Sequence, residues 1–128
     1  MNTNSKKDPL PHMNKQRALA AIPVQNSDVT TQVNASGHIL IRYPVTVRPW
    51  MATLLRRFTG TAPQIRFRKL QLDNLGTDVW QMIDGKRTVQ NIIAEFAQIH
   101  QLPTAESESA ITQFLRDLGK RGLIGMRS

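Results

Sequence analysis

The residues of this 128-residue chain that could do chemistry are few and scattered. Ser107 and Ser109 could act as nucleophiles, but both fall at a helix start with no histidine near them in sequence. Nucleophilic catalysis needs a base that converges on the hydroxyl. Asp73, Asp78, Asp84 and Asp117 could act as acids or bases, yet each is explained as a helix cap or a solvated helix position. His12, His38 and His100 are far apart and share no ligand spacing. The absence of cysteine removes thiolate ligands, thiol nucleophiles and disulfides. A glycine-rich phosphate loop, a His-Glu-x-x-His pair and a Ser-x-x-Lys set are all missing. No catalytic residue, metal site or cofactor is therefore expected, and the pattern points to a binding protein.

The elements around these residues describe a scaffold. Residues 69–85 open as a strand, meet a helix cap at Asp73, and place Leu75, Val79 and Ile83 at helical spacing before stopping at Asp84-Gly85. A glycine there takes the left-handed conformation cheaply and ends the helix. A second helix starts at Thr88 and buries Val89, Ile92, Ile93, Phe96 and Ile99. A third, capped by Thr104 after Pro103, buries Ala110, Ile111, Phe114, Leu115 and Leu118, with Lys120, Arg121 and Gly122 at its end. Leu123-Ile124-Gly-Met126 can return as a short strand.

Upstream, Val29, Thr31 and Val33 alternate with polar neighbours, Asn34-Ala-Ser-Gly37 supplies turn residues, and His38–Tyr43 is a second β-type run, together an antiparallel hairpin. Residues 65–72 form a third strand with charged flanks, which suits an edge. The expected fold is α+β: a winged helix-turn-helix in which a small antiparallel β-sheet of about three strands precedes a three-helix bundle. Its domain spans residues 24–128, with a helical insert at about 48–60. In that insert Trp50, Met51, Leu54, Leu55 and Phe58 form an apolar stripe that either covers one side of the domain or docks a partner or a membrane surface. Residues 1–23 read as a disordered basic tail, although Gln16 to Ile22 could form a turn of helix.

The net charge of +8 is unevenly placed. Eight Lys/Arg against two Asp/Glu give residues 1–63 a charge of +6, whereas nine against seven give residues 64–128 only +2. The more regularly patterned half is nearly balanced, so a solvated tail explains the excess better than a phosphate-binding face. No apolar run approaches the roughly 20 residues of a membrane span. The first residues carry charge without an apolar segment, unlike a secretory signal, and a cytoplasmic location is expected.

Two binding classes remain. A helix-turn-helix allows a DNA-binding transcriptional regulator as the alternative, but the third helix begins Ala105-Glu-Ser-Glu-Ser, whose carboxylates would repel a phosphate backbone. An exposed edge strand favours peptide binding, because an extended guest can pair with its free amides and carbonyls.

The run Leu72-Asp-Asn-Leu-Gly-Thr-Asp-Val-Trp-Gln-Met-Ile-Asp-Gly-Lys-Arg-Thr-Val-Gln-Asn-Ile-Ile, with the later Phe114-Leu-Arg-Asp-Leu-Gly-Lys-Arg-Gly-Leu-Ile124, closely resembles the pyrroloquinoline quinone biosynthesis protein D (PqqD) family over about residues 64–126. The resemblance implies a small winged-helix domain that recognises a ribosomally made precursor (leader) peptide. Such a domain delivers the peptide to a modifying enzyme, commonly a radical S-adenosylmethionine (SAM) protein, without catalysis of its own. Carried over by position, it implies a peptide-contacting strand of Ile65, Arg66, Phe67, Arg68, Lys69, Leu70, Gln71 and Leu72. The facing helix would contribute Ala110, Ile111, Phe114, Leu115 and Leu118. The segment around Trp50 and the long N-terminal stretch depart from the short members of that family.

Overall fold

The computed structural model describes residues 15–45, Arg57 and residues 66–128. Its elements run α1 (Lys15–Ala20), β1 (Ile22–Gln25), β2 (Thr30–Val33), β3 (Ile39–Val45), β4 (Arg66–Gln71), α2 (Asn74–Met82), α3 (Val89–His100), α4 (Thr104–Lys120) and β5 (Ile124–Arg127). The architecture is α+β with small antiparallel sheets, as expected. Apart from Arg57, the expected helical insert lies outside the described residues, as does Ile65. The chain divides into two compact units, one of residues 27–73 and one formed by residues 1–26 together with 74–128.

The smaller unit is a three-stranded sheet ordered β2-β3-β4. Its hairpin turn is built by Asn34, whose side-chain oxygen accepts from the amides of Ser36 and His38 at 2.9 and 3.0 Å. Gly37 completes the turn with φ +82°, a conformation that a side chain would strain. On β3 the alternation buries Ile39, Ile41 and Tyr43 and leaves Arg42 exposed between them. That period of two is the signature of a sheet with one covered face.

The larger unit packs α2, α3 and α4 around a common core. Val79 and Trp80 of α2, Ile92 and Phe96 of α3, and Ile111 and Leu118 of α4 are all buried, at the spacing that puts one helix face inward. Thr88 caps α3 in a reciprocal box: its hydroxyl accepts from the Asn91 amide, and the Asn91 side chain accepts from the Thr88 amide, each at 3.1 Å. The link from α2 to α3 closes on Asp84, whose carboxylate accepts from the amides of Lys86 and Arg87, both at 2.9 Å. Gly85 beside it has φ +77°. At α4 the start differs from the expected cap. Pro103, in an extended conformation, occupies the cap position without a side-chain bond, and Thr104 is the first helical residue.

Within the stretch expected to be a tail, residues 15–20 form a helix and residues 22–25 a strand. Ala21 is buried and its carbonyl accepts from the Val89 amide at 2.9 Å, which anchors the segment at the start of α3. β1 pairs antiparallel with β5 from Ile22↔Arg127 to Gln25↔Ile124, so β5 joins a separate two-stranded sheet, not the hairpin sheet. The Gln25 side chain adds a bond to the Trp80 carbonyl at 3.0 Å.

Candidate functional site

Among the described residues β4 has one neighbour, β3, and forms the outer edge of the three strands described. The register decides which amides that edge presents. The Leu72 amide donates to the Ile39 carbonyl at 2.9 Å, so Leu72 and Ile39 form a hydrogen-bonded pair. In an antiparallel ladder such pairs recur every second residue. Leu70, Arg68 and Arg66 therefore turn their main-chain groups toward Ile41, Tyr43 and Val45. Phe67, Lys69 and Gln71 turn theirs away from β3, toward the outer side of the described sheet. By the same count Pro44, which lacks an amide proton, faces the side of β2 beyond the point where that strand ends at Thr30.

Side chains at this edge are apolar and basic. Phe67 is exposed, and the Arg42 guanidinium lies 4.7 Å from its ring centroid. At an exposed site such a contact is worth about 0.5–1 kcal/mol, enough to orient both groups. Lys69 pairs across the strands with Arg42, while Arg68 is exposed opposite Tyr43. Gln71 donates from its side chain to the carbonyls of Ile39 and Leu72, each at 3.1 Å, and fixes the end of the strand. Over residues 27–73, seven Lys/Arg face two Asp/Glu, a net +5 that favours anionic guests.

The expected strand residues thus share one element, with Arg66 to Gln71 in β4 and Leu72 just after it, buried. The expected helix residues divide. Ile111, Leu115 and Leu118 are 1–3% exposed and belong to the core of the larger unit. Ala110 is exposed and Phe114 is half-buried. Arg42 was not among the expected residues, and only the pairing of β3 with β4 brings it to Phe67.

The titratable groups most exposed to catalytic interpretation have structural partners. His100 Nε2 is 3.0 Å from Asp78 Oδ2. Ser107 is fully buried and donates to the Ile93 carbonyl at 2.7 Å. Asp84 has its pKa held below the usual carboxylate range, first by the Arg87 and Lys86 amides and then by the Arg87 guanidinium, 3.0 Å away. Among the described residues no group of three or more His, Asp or Glu could hold a metal ion. No helix there is long and apolar enough to cross a membrane.

Residues 68–124 match the model of the family described as Coenzyme PQQ synthesis protein D (PqqD). No curated protein matches the chain, and no solved structure does.

Proposed function

We propose, from the match of residues 68–124 to the PqqD family model, that this chain is a non-catalytic peptide-binding protein of a biosynthetic pathway. A ribosomal precursor peptide pairs as an extended strand with β4, and the complex presents it to a modifying enzyme such as a radical SAM protein. The observation that carries this reading is the β4 edge, whose Phe67, Lys69 and Gln71 amides the register turns away from β3. Main-chain bonds to those residues would set the register of the guest, and the side chains would select its sequence. Arg42, Arg68 and Lys69 favour a guest with acidic residues next to an apolar one that meets Phe67. Of the expected helix set, Ala110 and Phe114 are the members left outside the core of the larger unit. Precursor peptides are made in the cytoplasm, and the protein is assigned there.

The DNA-binding alternative finds less support. Glu106 stands exposed in the first turn of α4, where a groove-reading helix would meet phosphates.

An amide-shift titration with the leader segment of a precursor encoded beside the gene tests the reading. Perturbations centred on Phe67, Lys69 and Gln71 are expected. Saturable binding that leaves those three amides unmoved would refute strand addition.

A further inference from the structure

The three-stranded sheet has a face as well as an edge. Strand alternation and register gather Thr30 and Gln32 of β2, Arg42 of β3, and Phe67, Lys69 and Gln71 of β4 on one side of it. All six are exposed, whereas Ile39, Ile41 and Tyr43 are buried on the opposite side.

The charges on this face work against the sheet that carries them. Arg42 and Lys69 are direct cross-strand partners. Because Leu72 and Ile39 form a hydrogen-bonded pair, the count along the ladder puts Arg42 and Lys69 in a non-hydrogen-bonded one. In such pairs the opposed side chains stand closest, and like charges there destabilise the sheet. No Asp or Glu among the described residues of β2, β3 and β4 offsets them. Two cations held together at an energetic cost point to an anion as their partner.

Phe67 selects among anions. It lies diagonal to Arg42 on the same face, with the guanidinium 4.7 Å from its ring centroid, and it is still 54% exposed. A carboxylate or a bare phosphate gains nothing from an aromatic ring. A nucleotide gains from all three groups: its base stacks on the ring while the phosphates on either side meet the cations. A basic surface with an aromatic platform is the arrangement that takes unpaired nucleic acid, since a duplex hides its base faces.

We propose that this face binds single-stranded nucleic acid, with a base stacked on Phe67 and the adjoining phosphates held by Arg42 and Lys69. The inference rests neither on a guest strand at the β4 edge nor on α4 as a groove-reading helix.

The test follows the binding of a fluorescein-labelled oligothymidylate of about twelve nucleotides to the full chain, by anisotropy at several salt concentrations. The single strand should bind more tightly than a duplex of the same length, although the duplex has the denser charge, and more tightly than poly-glutamate. Phe67→Ala should weaken it about tenfold, the value of one stacked base. Phe67→Leu keeps an apolar side chain and should lose as much. Arg42→Gln and Lys69→Gln should each reduce affinity and flatten its logarithmic salt dependence by about 0.7, one phosphate contact. Lys69→Gln should also melt no lower than the parent, because it removes a like-charge neighbour. Lys86→Gln, at an exposed cation of the larger unit, should change neither affinity nor slope. Unchanged affinity in both Phe67 variants would overturn the proposal. So would a duplex or poly-glutamate bound as tightly as the single strand, or a loss in Lys86→Gln equal to that in Lys69→Gln.

Discussion

His100 Nε2 lies 3.0 Å from Asp78 Oδ2, a bond that joins the last residue of α3 to the middle of α2 across 22 positions of sequence. The imidazole also tilts against the Phe96 ring, with centroids 4.4 Å apart. Both partners are only partly exposed, at 18% and 33% of their side chains, so solvent screens the pair incompletely. Replacing His100 by Gln and Asp78 by Asn, singly and together, should reveal a coupling of about 0.5–1 kcal/mol in chemical denaturation. Additive effects would mean that the two groups are merely adjacent.

Asp84 makes stability depend on acid. Folding lowers its pKa, so its contribution is complete above the carboxylate's unfolded pKa and disappears as pH falls through the lower, folded one. Asp84→Asn keeps an acceptor for the Lys86 and Arg87 amides but loses the charge opposite Arg87. The variant should melt below the parent at neutral pH and approach it in strong acid. A melting difference that stays constant with pH would contradict the assignment.

Lys69→Pro is the sharpest probe of the β4 edge. Its amide faces away from β3, so proline there leaves the sheet's own ladder intact. Peptide affinity should fall roughly threefold to tenfold, the value of one net hydrogen bond, with little change in melting. Arg68→Pro, by contrast, removes the bond to Tyr43 and should damage the sheet itself. Equal affinity for the parent and the Lys69 variant would remove strand addition from consideration.

Ser107 should prove structural. Ser107→Ala deletes a buried hydroxyl that bridges α4 to the Ile93 carbonyl of α3, at a cost of about 1 kcal/mol. For a domain of this size that corresponds to a fall of several degrees in melting temperature. Leader binding at β4 should be unaffected, and a selective loss of binding at unchanged stability would assign Ser107 a role beyond packing.

What could be read from the chain follows the range of the interactions. Thr88, Gly85 and Asn34 act on residues two to four positions away, and turn and cap chemistry is a local property that the residue types display. The strand at residues 66–71 was also legible, from an imperfectly alternating run with charged flanks. The α1 segment was legible only as one turn of helix between Gln16 and Ile22, because six residues are marginal alone and gain their order from the larger unit, through Ala21 and the Lys15–Glu108 pair. Arg42 meets Phe67 only through a strand register.

The pairing of β1 with β5 has a consequence for how the molecule is made. The Asn26 side chain bonds to the Gly122 carbonyl across 96 positions, and the two-stranded ladder closes a loop of similar length. Such closure is entropically unfavourable until intervening helices have shortened the span. During translation β1 leaves the ribosome well before β5, and it has no mate in this ladder until the helices between them have emerged. The earlier strand of the pair waits for the later one.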